Sequence, residues 1–187
     1  AEPENGINPT LAISEIIAAL NTLNNNDPND AEFAVFTPVH ILMGQPAYGI
    51  SPANGELHYT IRTWSSAQMD ILVAEIKKEV ATISETHLLD YSIDWFEHFP
   101  ASANNHICNE HIIAAAKINN FEIIERPYPF KFGEDFGWFS KEYKTAMFGL
   151  GSGINTPALH HADYDFPEEI IDTGMKMFAS IIKGILK

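Results

Sequence analysis

Residues 43–64 read M-G-Q-P-A-Y-G-I-S-P-A-N-G-E-L-H-Y-T-I-R-T-W. The first half is dense in Gly, Pro, Ser and Asn, the residues that supply turn dihedrals. From Gly55 the pattern becomes alternation. Leu57, Tyr59 and Ile61 fall on one side; Glu56, His58, Thr60 and Arg62 fall on the other. A period of two marks a half-buried strand. The stretch therefore predicts a strand over 55–64, with an apolar face that another layer must cover.

The flanking segments supply that layer. Leu11, Ile13, Ile16, Ile17 and Leu20 recur at helical spacing behind Asn8, a good N-cap, and Pro9, suited to a first turn. The run N-N-N-D-P-N-D, 24–30, is a loop. Phe33 to Met43 is β-branched and aromatic and predicts a strand, with Pro38 arguing for an edge or a bulge. Ser65 or Ser66 caps a helix whose apolar face is Met69, Leu72, Val73, Ile76, Val80 and Ile83. Leu89, Tyr91, Ile93 and Trp95 alternate again, a helix runs through Ala116, and Phe121–Glu125 reads as a short strand. The expected fold class is α/β (α+β): a four-stranded antiparallel sheet with two helices on one face. Past Arg126 the composition turns aromatic and Gly-rich. Lys144–Leu150 predicts a buried strand. Pro167 opens a last helix with Ile170, Ile171, Met175, Phe178, Ile181, Ile182 and Ile185 inward. A boundary is expected near residue 118, giving segments 1–118 and 119–187. The second is too small to stand alone and calls for a larger sheet to cover it.

With 187 residues, 45% apolar and 19% charged, the chain has material for a globular core. Its formal net charge of -14 argues against nucleic acid as a partner, since phosphate binding requires basic patches. The single cysteine, Cys108, allows no internal disulfide and fits a reducing compartment. No apolar run is long enough to span a bilayer, and the opening does not read as a basic-then-apolar leader. The expectation is a cytoplasmic protein without a membrane partner. A-E-P-E-N-G-I-N-P, which has no Met, reads like the middle of a protein.

Several stretches in order resemble one family. G-E-D-F-G-W-F, 133–139, matches the "S-E-D-F-x-Y-F" element of amidohydrolases related to aminoacylase and hippurate hydrolase. F-G-L-G-S-G-I-N-T-P-A-L-H-H-A-D-Y-D-F-P-E-E, 148–169, matches their "F-x-L-G-x-G … L-H-x-x-x-Y-D-F-x-D-E" element. Residues 43–64 resemble "G-x-A-x-N-x-I-P … G-x-x-R-x-F", and the opening resembles the stretch after the family's "H-A" pair. The resemblance covers nearly the whole chain. It implies an inserted dimerisation (lid) domain of four strands and two helices, 1–118. It implies that 119–187 is the incomplete C-terminal part of a metal-dependent α/β catalytic domain. The catalytic half with the general-base Glu and the other metal ligands is expected to lie outside the chain. The full-length parent is expected to hold two divalent ions, usually zinc, which this chain alone does not retain.

By this resemblance His160 takes the position of the family's last metal ligand, and His161 a variable one beside it. A neutral imidazole between Pro157 and a helix start suits zinc, but one histidine cannot hold it, since about 3–4 protein ligands are needed. Arg62 matches the arginine that reaches a substrate carboxylate or the partner's active site, a task that suits a guanidinium fork. The plainer reading is a strand-surface Arg beside an acidic neighbour. Gly49 stands where the family often has Asn. Gly133 replaces the usual Ser. Glu134 and Asp135 read either as carboxylates orienting metal ligands or a helix or, the slightly preferred reading, as acids capping the following helix. The loop of Gly149, Gly151 and Gly153 lacks a phosphate-type helix start. Cys108 and His111 share a helix face without His106, which reads as packing. His40, His58, His87 and His98 have no partners at ligand spacing.

Two functions follow from the resemblance. The parent is an amidohydrolase or peptidase that cleaves N-acyl-amino-acid or peptide-like amides with metal-activated water. This piece by itself is a non-catalytic dimerisation or binding module, a homodimer paired through the lid domain. No catalytic residue is assigned within the chain.

Overall fold

The computed structural model describes residues 2–186. They form two compact units. One is the chain up to Ala101 together with Tyr128–Gly133; the other is Ser102–Pro127 with Glu134 onwards.

In the first unit the order is α1 Thr10–Thr22, β1 Ala34–Met43, β2 Gly55–Thr63 and α2 Ser66–Thr86. The Asn8 side chain accepts the Thr10 N–H at 3.0 Å. Ser65 accepts the Gln68 N–H at 3.1 Å and caps α2. Each bond satisfies an amide that the first helical turn leaves without a partner. The strands pair antiparallel from Ala34↔Thr63 to Met43↔Gly55. Both helices lie on the face picked out by the alternation. Leu20, Ala34, Phe36, Leu72 and Ile76 are buried together, with Ile16, Tyr59 and Ile61 packed against them. Beside this core Phe33 is fully buried and stacks on Trp64, with centroids 3.8 Å apart. The 24–30 loop is held by its own acids: Asp27 accepts from the Asn29 backbone and Asp30 from the Glu32 backbone. These bonds hold both carboxyls below the ordinary value of 3.8. Their contribution to stability is present above that range and fades as pH falls through it.

Pro38 marks a bulge, as expected. The register passes from Pro38↔Tyr59 to His40↔His58, leaving Val39 unpaired. The strand count differs from the expectation: among the described residues the sheet has two strands, not four. Leu89–Trp95 and Phe121–Glu125 form no ladder. Alternation names a face but supplies no partner, and a strand exists only through cross-strand bonds. Only Leu89 and Ile93 of the third predicted strand are even half-buried. Phe121 is taken by a helix end, its N–H donating to the Ala116 carbonyl at 2.9 Å.

The second unit holds α3 His106–Ile118, α4 Gly137–Glu142 and α5 Ile170–Ile185. Thus α3, placed with residues 1–118 by sequence, packs on α5 instead. Ala115, Ala116 and Met177 are buried between them, with Ile112, Phe121, Phe148 and Ile181 alongside. The predicted strand 144–150 is also not laddered. The Asn104 side chain takes its place as a partner. It donates to the Met147 carbonyl at 2.8 Å and accepts the Met147 N–H at 2.9 Å. The Asn105 N–H donates to Thr145 at 2.8 Å. The inward face of α5 also differs from the expected one. Met177 is 4% exposed, whereas Ile171, Met175, Phe178, Ile182 and Ile185 are 50–67% exposed. α5 carries two apolar stripes, and α3 covers one of them.

Among the described residues, two of the four left-handed non-glycine residues close helices. Leu88 (φ 57) and Asn120 (φ 54) follow the ends of α2 and α3. In both, the left-handed residue donates three residues back into the helix and the next N–H donates five residues back, as in Leu88 to Glu85 and Leu89 to Ser84. This is the Schellman closure, which favours Gly or Asn. Leu88 is neither, and its side chain is 77% exposed. A left-handed L-residue is disfavoured by ~1–2 kcal/mol. Leu88→Gly is therefore expected to stabilise the first unit by about 1 kcal/mol in urea denaturation. A loss of stability would show that this side chain packs usefully.

Candidate functional site

Arg62 lies on the polar face of β2, opposite Val35. Its Nη1 donates to the Lys131 carbonyl at 3.1 Å. The acceptor belongs to Tyr128–Gly133, a strap that returns to the first unit. The strap is fixed independently. Lys131 Nζ donates to Asn26 at 2.8 Å and sits 5.1 Å from the Phe33 ring centroid. Phe130 and Phe132 stack at 4.8 Å. A carbonyl rather than an acidic side chain thus orients the guanidinium, through one of its five donors. A Cβ on Gly133 would come within 3.6 Å of Nη1, so position 133 borders the arginine head directly. The alternation of β2 placed Arg62 on the correct face. The strap carried no periodic signal and was missed.

His160 lies in the second unit and is exposed. The His161 N–H donates to the Ala158 carbonyl at 2.9 Å, closing a four-residue turn. His160 is the third residue of that turn, with φ 71. A third turn residue with positive φ is normally Gly or Asn. A second turn follows, Tyr164 donating to His161 at 3.0 Å. His161 Nδ1 accepts the Asp163 N–H at 3.2 Å, so its ring is engaged locally. His160 has left-handed backbone without the helix-end role of Leu88 and Asn120. Strain held at an exposed polar side chain points to a use for that side chain.

The other candidates are more ordinary. Glu134 and Asp135 are exposed and do not cap α4 with their side chains; instead Trp138 donates to the Asp135 backbone carbonyl at 3.0 Å. Cys108 donates to the Lys144 carbonyl at 3.3 Å and, with His111, Phe148 and Phe178, lines an apolar hollow of about 260 Å³ in the second unit. Among the described residues no three His, Cys, Asp or Glu side chains are grouped to hold a metal ion. His160 alone does not fit one.

The profile of Peptidase family M20/M25/M40 matches residues 4–184. The chain belongs to that family. A hydrolase of Staphylococcus epidermidis (strain ATCC 12228 / FDA PCI 1200) is 23% identical over 189 residues, covering 98% of this chain and 49% of its own length. A Bacillus subtilis (strain 168) protein named "Putative amidohydrolase YhaA" is 25% identical over 186 residues, covering 96% and 46%. The fold is similar to the crystal structure of the Bacillus subtilis YXEP protein, described as a dinuclear metal binding peptidase from the M20 family. The TM-score is 0.70 at 19% identity, covering 94% of this chain and 45% of that one. This M20-family chain spans about half the length of the curated relatives it matches. Among its described residues no helix is long and apolar enough to cross a membrane.

His160→Gly is expected to raise stability by about 1 kcal/mol in urea denaturation, by removing the left-handed penalty. His160→Ala, which keeps a Cβ, should give no such gain. A less stable glycine variant would show that the turn itself prefers histidine.

Proposed function

We propose that this chain supplies the lid and the C-terminal part of the catalytic domain of an M20-family enzyme. That enzyme hydrolyses amide bonds of N-acyl amino acids or small peptides, acting with divalent metal ions, zinc being the best match to an imidazole donor. The observation that carries the reading is His160. Its left-handed backbone serves an exposed turn and not a helix end, and it presents an imidazole at the position of the L-H-x-x-x-Y-D-F motif. The donors among the described residues do not complete a metal centre, so this reading assigns the remaining ligands and the general base to residues outside the chain. A bound divalent ion supplies Lewis acidity toward the amide carbonyl and toward water.

The role of this chain's own residues is binding and cover. The strap holds one edge of the Arg62 guanidinium, and the opposite edge of such a fork is shaped for a carboxylate, as on the amino-acid end of the substrate. The second unit is the incomplete part of the catalytic domain. The outward stripe of α5 supports this, since five large apolar residues in a row on a helix call for a covering layer. A homodimer through the lid is the accompanying proposal. Both β1 and β2 are edge strands, and β1 exposes Val39, Ile41 and Leu42.

The test is hydrolysis of N-acyl amino acids by the full-length protein and by this chain, with metal content measured for both. The full-length protein is expected to turn over and this chain to do nothing; enzyme-like turnover by this chain alone would overturn the division of ligands. In the full-length protein His160→Ala should lower bound metal. Arg62→Lys should raise KM about tenfold, near 1.4 kcal/mol, with a smaller change in kcat. An unchanged KM would remove Arg62 from substrate recognition. Sedimentation of the chain should show a dimer, and monomer alone at high concentration would count against pairing through the lid.

A further inference from the structure

The β-bulge changes which side of the sheet His40 faces. Ala34, Phe36 and Pro38 share the covered face with Ile61 and Tyr59. Without an extra residue His40 would follow them. Val39 is unpaired, so the alternation slips by one and His40 lands opposite His58 on the polar face. The two rings are 5.2 Å apart between centroids, with planes at 76°. Both residues are exposed. Glu56, next on the same face of β2, brings Oε2 to 3.4 Å from His58 Nε2.

We propose that His40 and His58 form a two-histidine chelate for a borderline divalent cation such as Zn²⁺ on the open face of the β1–β2 ribbon, with Glu56 orienting His58. Two imidazoles bound at ~2.0–2.1 Å to one tetrahedral zinc have centroids about 5 Å apart, which is the separation found here. With two protein ligands and the remaining positions left to water, the site would be weaker than the three- or four-ligand centres that hold zinc permanently. A carboxylate on a ligating histidine fixes the ring and raises its basicity. The site does not include His160 and does not depend on the hydrolase reading. It also clamps the two strands at the bulge, so bound metal stabilises the folded ribbon by mass action.

The test is titration of the metal-free 187-residue chain with Zn²⁺, followed by calorimetry and by thermal unfolding. Wild type should bind saturably and show a Zn²⁺-dependent rise in Tm. His40→Gln and His58→Gln should each weaken binding at least tenfold and abolish the rise, while Glu56→Gln should weaken it by about tenfold. His98→Gln, at an exposed histidine in neither proposed site, should leave both unchanged. Both histidines are exposed, so the variants should keep the metal-free Tm of wild type. If one does not, sub-stoichiometric Cu²⁺ added to wild type should broaden the imidazole NMR signals of His40 and His58 first among the eight histidines. No saturable binding by wild type, binding retained by the double variant, or selective broadening elsewhere would each overturn the proposal.

Discussion

Burial of one face of a two-stranded ribbon is the constraint on which the first unit depends. A lone two-stranded sheet is marginal in water. Here Phe36, Tyr59 and Ile61 are covered by Leu20 of α1 and by Leu72 and Ile76 of α2. The Phe33–Trp64 stack seals the end of the ribbon where the chain enters β1 and leaves β2. With one face committed to the core, the other is released for polar chemistry. Arg62, His58, Glu56 and, through the bulge, His40 all project there. The same burial that stabilises the unit therefore sorts its polar side chains onto the open face.

Backbone conformation is used for two purposes. At Leu88 and Asn120 the left-handed residue closes a helix and turns the chain, and its strain is offset by two backbone hydrogen bonds. At His160 the same conformation sits in an exposed turn. There it fixes where an imidazole stands relative to a short double-turn loop, Ala158 to Tyr164. A glycine would make that turn with less strain but would bring no donor atom.

Membership in the M20 family and the mixed α/β character were both legible in the sequence, because short motifs in order and strict periodicity are local signals. Residues 55–64 alternated as expected and Ser65 capped α2 as expected. The strand count was not legible. Leu89–Trp95 carries the pattern of a strand and has no ladder; Lys144–Leu150 is tied by the Asn104 amide, a single polar side chain with no periodic signature. For α5, every apolar residue looked inward, since periodicity identifies stripes but not which stripe has a neighbour.

The sequence by itself determined which faces are apolar, where helices begin, and which residue types are available for metal and carboxylate binding. These depend on neighbours within a few positions, and period and capping record them. Only the tertiary structure decided that α3 belongs with α5, that a strap from residues 128–133 holds Arg62, and that His40 and His58 meet across a bulge. Each of those is a meeting of residues far apart in the chain. Spacing along a sequence cannot encode it, because register and return paths are fixed by the packing of the whole unit.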